Sequence, residues 1–86
     1  MLCSVEISMY PLKEDYKPSI ITFIKNLRKY PLVKLNTNGM STQVFGEYKM
    51  VMNALNTEME KTFLNKNLVV FNLKVINSHL EEKPKI

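Results

Sequence analysis

Cys3, Val5, Ile7 and Met9 alternate with Ser4, Glu6, Ser8 and Tyr10. This period of two predicts a strand with one apolar and one mixed face. Pro11 ends it. Asp15 stands where a helix cap is expected and Pro18 suits a first turn. Beyond them Ile20, Phe23, Ile24 and Leu27 recur at helical spacing opposite Thr22, Lys25 and Lys29, which predicts a helix over residues 17–29. Tyr30-Pro31 stops it, and strand character resumes over 32–36, with Val33 and Leu35 on one side and Lys34 and Asn36 on the other. Asn38-Gly39 is a hairpin turn signal, placing the next strand over Met40 to Glu47. A second helical stripe of Tyr48, Val51, Met52, Leu55, Met59 and Phe63 runs to about Asn65. Asn65-Lys66-Asn67 reads as a loop, Leu68 to Ile76 as a final strand rich in Val, Ile and Phe, and residues 78–86 as a polar, Pro-containing tail.

The predicted order is β-α-β-β-α-β. Its simplest closed form is an α+β, ferredoxin-like domain over residues 1–77, a four-stranded antiparallel sheet with both helices on one face. Right-handed crossovers put the first and third strands in the centre. The helices cover one side of the sheet, leaving Glu6, Ser8 and Tyr10 on the other, a mixed face that suits a partner sheet, a ligand or plain exposure.

Composition bounds this picture without changing it. The chain has 86 residues, 45% apolar and 23% charged, as expected for one packed domain. A chain this short buries only roughly 60 to 65% of its unfolded surface, so pairing with another chain would add stability. No run approaches the roughly 18 apolar residues that cross a bilayer. The first residues lack a signal-peptide pattern, so a cytoplasmic location without membrane insertion is expected. The single cysteine, Cys3, reads as a small buried strand residue. The net charge of +4 is spread over lysines that stand apart, with only Arg28-Lys29 adjacent, a solvated surface and not a nucleic-acid footprint.

Several chemistries drop out on residue supply. One Cys and one His, the latter being His79 in the tail and read as solvated, do not make a metal site. Ser8, Ser41 and Thr42 have no histidine base in the domain, and Glu6 and Glu47 lie on different strands as exposed carboxylates, so the chain is expected not to be an enzyme. Gly39 and Gly46, the only glycines, open no phosphate loop, and no cofactor is indicated. An RNA-binding sheet would need stacked aromatics on its central strands, whereas Met40 to Glu47 carries only Phe45. Acylphosphatases of the same architecture hold their phosphate with an arginine in the first loop, and residues 11–15 contain none. What remains is recognition by neutral hydroxyls and amides: Ser8, Tyr10, Asn36, Thr37, Asn38, Ser41, Thr42, Gln43 and Asn72.

Ser8-Met9-Tyr10-Pro11-Leu12, then Asn38-Gly39-Met40-Ser41-Thr42-Gln43-Val44-Phe45-Gly46, and a last strand bearing Asn72 follow one another in order. Through them, over about residues 4–77, the chain resembles the YKOF-related thiamine and hydroxymethylpyrimidine-binding proteins. The resemblance implies a non-catalytic ferredoxin-like protein that binds thiamine, or its hydroxymethylpyrimidine moiety, in vitamin uptake or salvage, with transporter components as possible further partners. It assigns hydrogen bonds to the aminopyrimidine to Thr37, Asn38, Ser41 and Thr42, then Ser8 and Asn72, with Tyr10 or Met40 as apolar cover.

Two departures qualify what is implied. The type protein has two repeats per chain and this chain has one, so a homodimer packed through the open sheet face would replace the tandem pair. Where some members have an acidic residue and a histidine, this chain has Asn38-Gly39. That loss and the +4 charge weaken attraction for the thiazolium cation, so the neutral pyrimidine, or a different ligand altogether, stands level with thiamine. The competing reading is an assembly or regulatory module that binds no ligand.

Overall fold

The computed structural model describes residues 1–65 and 67–82, so Lys66 of the expected loop and residues 83–86 of the expected tail lie outside the described residues. The elements are β1 (Leu2–Pro11), α1 (Lys17–Leu27), β2 (Val33–Thr37), β3 (Thr42–Glu47), α2 (Tyr48–Phe63) and β4 (Val69–Ile76). The strands form one sheet in the order β2-β3-β1-β4, every pair antiparallel. With β1 and β3 central, this is the ferredoxin-like fold expected from the hydropathy pattern.

The core follows from the alternation in β1. Cys3, Val5 and Ile7 point to the helices and are buried with Val44 of β3, Phe23 and Leu27 of α1, and Val51, Ala54 and Leu55 of α2. Burial pushes the Cys3 thiol up from its ordinary value, with the Glu47 carboxylate adding to the effect, so it behaves as an inert small side chain. No described helix is long and apolar enough to cross a membrane.

Both helices start where the sequence places them, at Lys17 and Tyr48, but the cap of the first differs from the sequence reading and that of the second was not read. Asp15 does not cap α1; the capping position falls on Tyr16, whose backbone is already helical and whose side chain makes no cap hydrogen bond. Pro18 in the first turn carries no amide hydrogen, so one donor that a cap would have to satisfy is missing. Glu47 does cap α2. Its extended backbone aims the carboxylate back at the amides of Lys49 (2.9 Å) and Met50 (3.2 Å). Along α2 the buried stripe is Val51, Ala54, Leu55 and Glu58. Tyr48 and Phe63, expected on it, are exposed, although Phe63 keeps an edge against Phe71 at 5.5 Å.

Glu58 is 3% exposed and accepts from the Tyr30 hydroxyl (2.7 Å) and Lys61 Nζ (3.1 Å). That network fastens the segment after α1 to α2. The bond to Glu58 also raises the Tyr30 hydroxyl pKa above its ordinary value.

The hairpin is wider than Asn38-Gly39 implies. The β2–β3 register ends at Thr37↔Thr42, so 38–41 form a four-residue loop and β3 starts at Thr42 and not Met40. The reason is local: the Asn38 side-chain oxygen accepts from the amides of Met40 (2.8 Å) and Ser41 (3.2 Å), while the Asn38 amide donates to the Ser41 carbonyl (3.1 Å). An Asx turn therefore closes the loop, and Gly39 does not adopt the positive φ of a two-residue primed turn.

The sheet face away from the helices is partly covered by the chain itself. After β4 the chain turns back across it, where the Ser4 hydroxyl donates to the Ser78 carbonyl (2.7 Å) and accepts from the Leu80 amide (2.8 Å). The His79 ring lies 5.6 Å from that of Phe45, and Glu81 pairs with Lys34 and His79. Phe45 is consequently 4% exposed on a face that no helix covers. His79 stays exposed, as read from sequence, although its ring packs against Phe45 and pairs with Glu81.

Candidate functional site

The site arises from unequal strand lengths. β1 continues to Pro11, but its pairing with β3 stops at Ile7↔Thr42. From Ser8 onward β1 has a neighbour only in β4, through Ser8↔Asn72, Met9↔Phe71, Tyr10↔Val70 and Pro11↔Val69. The vacated strip beside β1 is walled by the 38–41 loop on one side and by α1 on the other, forming a cavity of about 520 Å³. That volume lies within the range of small-molecule sites.

Seven of the eight residues singled out from sequence line it: Ser8, Tyr10, Thr37, Asn38, Met40, Ser41 and Thr42. Asn72 does not. It faces Ser8 across the β1–β4 ladder as an exposed side chain of the outer strand, one register step removed from the cavity. The sequence reading missed the opposite wall, Leu12, Tyr16, Ile20, Phe23 and Ile24. Its signal was the i, i+4 spacing of Tyr16, Ile20 and Ile24, read as a core stripe from Ile20 onward. Ile20 and Ile24 are only half-buried because they border the cavity.

Polar groups gather at the hairpin wall and apolar groups at the helix wall. Thr37 Oγ1 and Thr42 Oγ1 are 3.1 Å apart and share one hydrogen bond. Ser41 Oγ donates to Glu6 Oε2 (3.0 Å), and Glu6 Oε1 lies 3.7 Å from Lys74 Nζ. Met40, at the loop tip, is 88% exposed. Among the described residues no Asp, Glu, Lys, Arg or His lines the cavity. Among the described residues no three His, Cys, Asp or Glu side chains converge as a metal site. Glu6 and Glu47 do not form an acid–base pair: the register sets Glu6 opposite Gln43 and Glu47 opposite Leu2, at separate ends of the β1–β3 ladder. The arrangement can hold a planar, uncharged molecule by one hydrogen-bonding edge and one apolar face.

No protein-family model matches the sequence, and no curated protein does. Solved structures do match the fold. A Thermotoga maritima protein proposed to act in thiamine biosynthesis or salvage superposes with a TM-score of 0.79 at 20% identity, covering 91% of this chain and 85% of its own. A Methanocaldococcus jannascii protein described as hypothetical gives 0.77 at 22% identity, with 99% and 88% covered. A domain of unknown function from Bacillus cereus gives 0.75 at 13% identity, with 92% and 78% covered. At these identities the likeness is one of fold.

Proposed function

We propose that this chain is a non-catalytic binding protein for the hydroxymethylpyrimidine moiety of thiamine, free or within the vitamin, acting in uptake or salvage. The observation that carries this reading is the uncharged cavity beside β1, with hydroxyls on one wall and aliphatic and aromatic side chains on the other. An aminopyrimidine is a flat ring with donors and acceptors along one edge, and it matches those two walls. The proposed role of the Thermotoga neighbour points the same way.

Charge favours the free pyrimidine over thiamine. Among the described residues no carboxylate lines the cavity to meet a thiazolium ring, and Glu6 stands behind Ser41 and beside Lys74. A second copy of the chain is the proposed partner, docked on the open face through Glu6, Tyr10 and Val70 and against Leu80 of the strap.

Isothermal titration of the full chain with hydroxymethylpyrimidine and with thiamine tests the reading. Binding of the pyrimidine is expected, with Thr42→Val weakening it about tenfold through loss of one hydrogen bond. Absence of heat from either compound at millimolar concentration would overturn the ligand reading and leave the assembly module in its place.

A further inference from the structure

The ligand reading leaves Glu6 unused, yet its carboxylate touches one cavity side chain. Ser41 is pinned through its backbone: its amide donates to Asn38 Oδ1 and its carbonyl accepts from the Asn38 amide. The remaining freedom lies in the hydroxyl rotor, which decides whether Ser41 offers a hydrogen or a lone pair. Its Oγ lies 3.0 Å from Glu6 Oε2. A carboxylate can only accept, so the Ser41 hydrogen is committed to Glu6 and its lone pairs are left for the cavity.

We propose that Glu6 is a positioning residue that makes Ser41 an obligate acceptor and so selects a ring carrying an exocyclic amino group over one carrying a carbonyl there. The inference rests on the ligand reading above and deepens it. An amino group donates to the Ser41 lone pair, whereas a carbonyl would set lone pair against lone pair. The threonine pair supplies the complement. One of the Thr37 and Thr42 hydroxyls donates to the other, which leaves a single hydrogen for a ring nitrogen. A committed acceptor at Ser41 and a single free donor at the threonine pair are the inverse of the amino group and ring nitrogen of an aminopyrimidine. Lys74, 3.7 Å from the other carboxylate oxygen, braces Glu6 from the open face.

The test is isothermal titration of the full-length wild type, Glu6→Ala, Glu6→Gln and Ser41→Ala, each with hydroxymethylpyrimidine and with its counterpart in which a carbonyl replaces the amino group. The wild type is expected to prefer the amino compound by at least about tenfold. Glu6→Ala frees the rotor and lowers that preference about tenfold, whereas Glu6→Gln, whose side-chain carbonyl still accepts, retains it. In a Ser41→Ala background the Glu6 substitutions have no further effect on the ratio.

Equal weakening of both compounds in Glu6→Ala would make Glu6 a merely structural support and overturn the proposal. Equal loss of preference in Glu6→Ala and Glu6→Gln would assign the effect to charge and overturn it as well. Either result leaves the ligand reading standing. A wild type that binds neither compound removes both.

Discussion

Gly46 is the residue whose identity the packing dictates most sharply. A side chain there would place its first carbon 2.9 Å from the Leu32 carbonyl oxygen and 3.2 Å from Val51 Cγ2, at a φ of +157°. Gly46→Ala must move backbone, and a loss of about 1–3 kcal/mol is expected by urea denaturation. Gly39 has nothing within 4 Å, so the same substitution there should be nearly neutral and serves as the control. Both glycines look alike in the sequence, since the contact that separates them comes from segments brought together only on folding. Glu58 was illegible for a related reason: its partner Tyr30 is remote along the chain, and a lone Glu in a helical stripe reads as solvated. The cavity hydroxyls were legible because a Thr-Asn-Gly-Met-Ser-Thr run is dense in short polar groups whichever turn it makes.

At the level of elements, periodicity located every strand and helix, because alternation in β1 and the 3.6-residue stripes survive packing. The ends were harder to read. Asp15 has the residue type of a cap but lies one residue before the capping position, while Glu47 occupies that position with an extended backbone and reaches two amides. Glu47→Ala is therefore expected to cost about 1 kcal/mol in thermal or chemical unfolding, and Asp15→Ala to stay within about 0.5 kcal/mol of wild type. A reversal of that ranking would mean that α1 begins one residue earlier than observed. The helix wall of the cavity escaped notice because a stripe that borders a cavity and one that fills a core have the same spacing.

Across the whole molecule, the arrangement of layers was legible and the strap was not. Residues 77–82 are polar and lack periodicity, yet Ser4, Phe45 and Lys34, one from each of three adjacent strands, hold them to the sheet. Lys34, and then His79, hold the Glu81 carboxyl below its ordinary range. A carboxyl whose folded pKa is depressed contributes above its unfolded value, and the contribution is lost as pH falls through the folded one. Acidification below about pH 4 should therefore release the strap while the sheet persists, followed as a shift of the Leu80 amide resonance. Lys34→Ala should move that release to higher pH. An amide shift unchanged between neutral and acidic pH would show that the two Ser4 hydrogen bonds suffice to hold it.

The cavity exists because β3 begins opposite Ile7 while β1 runs on to Pro11. Lengthening each strand of the β2–β3 ribbon by two residues would carry the ladder up to Met9, fill the strip with backbone and erase the cavity without disturbing the core beneath it. Hairpin length is thus an on–off control for the cavity itself, separable from the side chains that line it.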